Sequence, residues 1–171
     1  MKTIIFFVLF ELFAPLHDTG CQAAPLGESS TTVFSDSVPP LNGEILSFVD
    51  SKMNKKVGRG ECWDLAAEAL NASGAKWDGK LHFGRKLDKG EKILPGDIIQ
   101  FEGVKIKFQD GNGRYTQVLK HHTGIVYSMK GQSSFDIANQ NTAEHGRKVT
   151  ITFIDLDQVT SGKVSIYRPE R

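Results

Sequence analysis

The spacing of apolar residues changes once along this chain, near Leu94, and that change restricts the folds open to it. Before it, apolar side chains recur every three or four positions: Ile45, Phe48, Val49 and Met53, then Cys62, Leu65, Ala66, Ala69 and Leu70. Each set forms one stripe on a helix of 3.6 residues per turn. The first helix is expected to open at Asn42-Gly43-Glu44 and to stop by Gly58; the second runs from Cys62 to near Ala72-Ser73-Gly74. A Gly- and Lys-rich connection over 75–92 has no clear period, with Trp77, Leu81 and Phe83 as its anchors to a core. Beyond it, Leu94-Pro95-Gly96-Asp97 turns into Ile98-Ile99-Gln100-Phe101, and Val104, Ile106 and Phe108 alternate with Lys105 and Lys107. That two-residue period belongs to a half-buried strand. Asp110-Gly111-Asn112-Gly113 is a hairpin turn, and further strands are expected over 115–120, 122–129, 134–139, 148–155 and 163–167. Two helices followed by about six short strands make an α+β fold, the helices covering an antiparallel sheet or small barrel.

The chain divides into three parts. Residues 1–23 read as a signal peptide: Lys2 precedes an apolar run over 4–13 broken only by Glu11, and Cys21-Gln22-Ala23 offers small residues to a signal peptidase. That run is shorter than the roughly 20 residues a membrane span needs, so no stable membrane insertion is expected. A secreted or periplasmic protein follows, with a lipoprotein anchored through Cys21 as the minor alternative. Residues 24–40, rich in Ser, Thr, Pro and Gly, read as a flexible linker, and 41–171 as one domain. Lys and Arg number 21 against 20 Asp and Glu, a balance that gives no electrostatic case for nucleic acid. Nothing in the sequence sets an oligomeric state.

Loss of Cys21 with the leader would leave Cys62 without a disulfide partner. A buried lone thiol is commonly an inert small hydrophobe. Cys62, however, follows Gly58-Arg59-Gly60-Glu61 at the start of a helix, where free N–H groups and the positive dipole end favour thiolate. A nucleophilic thiol needs a base in hydrogen-bond reach, and imidazole suits neutral pH. His121 and His122 are adjacent on one strand, so alternation lets only one face Cys62. Gly124 lies on the face of His122 and would keep the surface beside it open. The polar run Asn139-Gln140-Asn141-Thr142 ends the next strand; it reads either as an Asn-rich turn or as the group that fixes the imidazole tautomer. Metal ligation by Cys62 with His121, His122 or His145 would lack the close-spaced ligand pairs usual in such sites, so neither metal nor cofactor is expected.

In their order, Gly60-Glu61-Cys62-Trp63, Pro95-Gly96-Asp97-Ile98-Ile99, His122-Thr123-Gly124-Ile125-Val126 and Gln140-Asn141 resemble the NlpC/P60 and CHAP branches of the papain-like fold. The chain is also similar to the cysteine-proteinase-fold domain of some fungal actin-patch proteins, where the role need not be catalytic. The first resemblance implies an exported cysteine hydrolase cleaving an amide bond in peptidoglycan or a peptide-like substrate. It makes Cys62 the nucleophile and His122, by its His-x-x-Ile/Val spacing, the base. Gln140 falls where the CHAP branch carries a glutamate, and Asn141 where it carries an asparagine. A neutral Gln140 can orient imidazole but stabilises imidazolium less than a carboxylate does. A papain-type protease is excluded, because its base lies roughly 130–150 residues past the cysteine. The alternative is a catalytically inactive binding or interaction module that retains the fold.

Overall fold

In the computed structural model, which describes residues 38–171 apart from Asn112, the change of period near Leu94 is a change of layer. The expected leader over 1–23, and the expected linker as far as residue 37, lie outside the described residues. Helix α1 spans Pro40–Lys52 and α2 spans Cys62–Ala72. α1 opens at Pro40, two residues before the expected Asn42. A proline is favoured there, since its missing N–H would have no intrahelical partner and its φ already suits the helix. Ile45, Val49, Leu65, Ala69 and Leu70 are buried, as their spacing requires.

The strands are β1 (Arg85–Lys86), β2 (Ile98–Asp110), β3 (Gly113–Met129), β4 (Ser134–Asn139), β5 (Thr150–Asp155) and β6 (Val159–Arg168). They form one antiparallel sheet in the order β1-β6-β2-β3-β4-β5. Four strands expected separately have fused into two. Gly103, at φ +62°, and a register shift against β6 between Glu102 and Lys105 make a bulge there. A bulge bends a strand without ending it, so β2 and β3 run as one ladder from Ile98 opposite Ile125 to Asp110 opposite Gly113. β4 pairs with β3 only between Ile125 and Met129, and β6 leaves β2 at Ile106. The far end of the ladder therefore projects as a two-stranded ribbon.

Neighbouring residues on each strand divide between two cores, as the pleat requires. Ile98, Ile125 and Ala138 pack with the helices, while Ile99, Val126 and Ile137 join Phe101, Phe135 and Ile154 in a second core. The 75–92 connection is pinned by Phe83, fully buried and stacked 5.9 Å from Trp77; Leu81 is 52% exposed and anchors nothing.

The Pro95-Gly96-Asp97 turn has a structural explanation. Asp97 is fully buried and accepts from the Leu94 N–H (2.9 Å), Asn42 Nδ2 (3.0 Å) and both Nε and Nη2 of Arg168 (3.1 and 2.9 Å). One carboxylate thus ties α1, the entry to β2 and the end of β6. Gly96 sits at φ +86°, and a Cβ there would lie 2.5 Å from Asn42 Cβ. Only glycine lets the turn approach α1 so closely.

Candidate functional site

Cys62 is the first helical residue of α2, and the loop before it is fastened at several points. Asp64 accepts from the Arg59 N–H (2.7 Å), the Glu61 N–H (3.2 Å) and Arg59 Nη2 (2.8 Å). Burial pushes the Asp64 carboxyl up, but these donors outweigh it and hold the group below its ordinary value. Glu61 is clasped in turn by Arg147 (3.1 Å) and Asn141 Nδ2 (2.7 Å). The Cys62 thiol is half-buried and free, with no hydrogen-bond partner among the described residues.

His122 stands on β3, half-buried, its ring 6.4 Å from that of Phe101. Its Nε2 lies 3.1 Å from Asn139 Oδ1. The orientation of that amide is fixed by its other contacts: Asn139 Nδ2 faces the carbonyls of Ile137 (3.3 Å) and Thr150 (3.4 Å) and Thr152 Oγ1 (3.1 Å). Carbonyls only accept, so Nδ2 is the donor and Oδ1 accepts from His122 Nε2–H. Burial lowers the His122 pKa, with the Asn139 bond opposing it, which favours the neutral ring and leaves its proton on Nε2. Nδ1 is then an unprotonated base with no hydrogen bond among the described residues.

The side chain that contacts the His122 ring is Asn139; Gln140 and Asn141, expected in that place, bond elsewhere. Gln140 is fully buried and bridges β4 to the loop ahead of α2: its Oε1 accepts from the Val57 N–H (3.1 Å), while its Nε2 donates to the carbonyls of Val57 (3.0 Å) and Glu61 (2.7 Å). Asn141 binds the Glu61 carboxylate. Strand parity separates the roles, since Asn139 shares the face of Ile137 and Gln140 belongs to the other. The same parity was available in the sequence, where Asn139 ends the apolar alternation of β4. Consecutive residues of one segment thus hold His122 on one side and the start of the Cys62 helix on the other. His121 is exposed. Gly124 does not leave the surface open: a Cβ there would meet Ile137 Cδ1 at 3.0 Å.

A cavity of about 500 Å³ opens at His122, walled by Leu119, Ile137, Asn139, Asn141 and Thr142 among others; Cys62 is not in its wall. No group of three or more His, Cys, Asp or Glu side chains able to hold a metal ion occurs among the described residues.

A family model of the AIM3/BBC1 cysteine proteinase-fold domain matches residues 40–171. The chain belongs to this family. It is 30% identical over 148 residues to altered inheritance of mitochondria protein 3 of Debaryomyces hansenii, a match spanning 73% of this chain and 15% of that protein. Among solved structures it is similar to Ly7917 (19% identity, TM-score 0.45, 74% of this chain and 62% of that one). It is likewise similar to Ly7917 with the hydrolyzing product of MDP (17% identity, TM-score 0.47, covering 75% and 62%). The α+β, papain-like fold expected from the motifs is the fold of this family.

Family membership also corrects the expected localisation. The secreted or periplasmic placement, with its lipoprotein variant at Cys21, is overturned by a domain shared with AIM3/BBC1 proteins. Their yeast relative is named for the inheritance of mitochondria, a process inside the cell. The expected placement rested on the leader-like composition of residues 1–23, and an apolar run beside a lysine meets the compositional test for a signal whatever its use.

Proposed function

We propose that this domain is a binding module that retains the papain-like fold and takes a peptide-like segment of a partner protein. The reading rests chiefly on the cavity at His122, whose wall includes the orienting Asn139 but not Cys62. A nucleophile works beside its base and its substrate, and Cys62 makes no hydrogen bond to His122 among the described residues. The length of the yeast relative agrees: a domain matching 15% of a long protein is one part among several.

The experiment is thiol reactivity together with turnover. Iodoacetamide alkylation of Cys62 is expected at the same rate in the wild type and in His122→Ala, and Cys62→Ala should leave partner binding unchanged. Hydrolysis of a peptide or amide substrate that disappears in Cys62→Ala would overturn the reading.

One observation favours a second reading, a cysteine amide hydrolase. Asn139 holds His122 by Nε2 and leaves Nδ1 unprotonated. In that chemistry Nδ1 would take the Cys62 proton and the thiolate would add to the acyl carbon. The imidazolium would return its proton to the leaving amine, and water would then cleave the thioester. The turnover test separates the two.

A further inference from the structure

The projecting ribbon carries three features that the His122 corner does not use. The first is an open backbone edge. β3 pairs with β2 along one side from Gly113 to Ile125, but on its other side no strand among the described residues meets it before Ile125. Alternate residues between Arg114 and His121 therefore present their N–H and C=O groups outward, a template for another strand. The second is charge. Lys105, Lys107, Arg114 and Lys120 are all exposed, and none has an ion-pair partner among the described residues. The sequence sets a single acidic residue, Asp110, against them between 104 and 121. The third is a division of faces. Lys105 pairs with Val118, Lys107 with Thr116 and Gln109 with Arg114, so the cations share one face. Ile106 pairs with Gln117 and Phe108 with Tyr115 on the other, where the two rings stack 5.5 Å apart while 44% and 43% exposed.

We infer that the open edge of β3, over residues 114–121, is the docking site for an extended segment of a partner protein in which acidic and apolar residues alternate. The segment adds as a strand beside β3, its main chain pairing with the outward N–H and C=O groups. Main-chain pairing supplies affinity in such additions, and alternate side chains supply specificity. Its acidic side chains fall on the face of Lys105, Lys107 and Arg114, and its apolar ones beside Tyr115, Gln117 and Leu119. A second copy of this chain is a poor occupant, because two such edges would set Arg114 and Lys120 against their own kind. The same residues 117–122 wall the cavity at His122, so a segment on this edge runs directly into it. The inference rests on the binding-module reading and supplies its place and the chemistry of its partner.

The probe is an eight-residue peptide alternating glutamate and valine, capped at both ends, titrated into the full chain and followed by amide chemical shifts and hydrogen exchange. Slowed exchange at alternate residues within 114–121 is expected, with no binding by the lysine–valine counterpart. The double variant Lys107→Glu, Arg114→Glu, both sites being on the exposed ribbon, should weaken binding about tenfold, and Cys62→Ala should not change it. Methylating alternate peptide nitrogens, which removes main-chain donors, should abolish binding. Absence of any shift at about 1 mM peptide overturns the inference, as does equal binding of the lysine peptide or of a thymidine oligonucleotide. A dimer of the chain closed through β3 also overturns it. Shifts confined to Asn141, Thr142 and Ala143 overturn the edge assignment while leaving the binding-module reading intact.

Discussion

Replacing Gln140 by alanine should damage the fold more than any change to Cys62 or His122. The side chain is fully buried and makes three hydrogen bonds to the backbone of Val57 and Glu61, more than eighty residues or nearly so away in sequence. Each is worth about 1 kcal/mol net, while a buried donor or acceptor left stranded costs about 1–3 kcal/mol. Val57 is 4% exposed, so its N–H and C=O lose their partner with little access to water, whereas the Glu61 carbonyl is partly reachable. The expected loss is about 3–5 kcal/mol, read as a lowered urea midpoint at unchanged slope. Gln140→Glu keeps the shape but removes the donor that serves both carbonyls. It should be nearly as costly at neutral pH and recover partly on acidification, when the carboxyl can donate once. Faster exchange of the Val57 amide in Gln140→Ala would locate the damage in the loop that carries Cys62. A loss below about 1 kcal/mol would refute the view that this side chain bolts the loop to β4.

Two further outcomes follow from His122. Asn139→Asp should raise its pKa by placing a carboxylate at Nε2, and Asn139→Ala should lower it further by removing the one contact that supports protonation; an imidazole NMR titration reads both. Because burial already lowers the folded value, the unfolded chain takes up this proton at a higher pH than the folded one. Stability from His122 is then full above about pH 6.5 and falls as the pH drops towards the lowered folded value. The difference in thermal midpoint between wild type and His122→Gln should narrow across that window, and a constant difference would count against the assignment.

Both helices were legible in the sequence because their apolar stripes each face one core, and α2 starts at Cys62 where the glycine-flanked loop places it. The strand-forming segments from Ile98 onward were legible too, but not where one strand ends and the next begins. Gly103 reads as a break in any local pattern, and only its register against β6 and β3 makes it a bulge within a continuous strand. β1, two residues long, has no period to detect; it exists because β6 offers Tyr167 and Arg168 as partners. At the site, residue types pointed to the segment that meets His122 but not to Asn139, the member that contacts it. Asn139, Gln140 and Asn141 are chemically similar, and what separates them is which face of β4 each occupies and that Val57 lies beneath Gln140. The Gly-Asp turn read as a family mark is held by Asn42 and Arg168, distances of 55 and 71 residues that no local pattern contains.

The position of β6 bears on how the chain is made. It is synthesised after every other strand described here, yet it lies between β1 and β2 and brings Arg168 to the buried Asp97. Until those residues leave the ribosome, β2 has one bare flank, β1 has nothing to pair with, and a carboxylate in the interior has lost its guanidinium. Non-local pairing of this kind leaves strand edges in view until β6 has been made. The sheet is therefore complete only once β6, its latest-made strand among those described, has been inserted between two earlier ones.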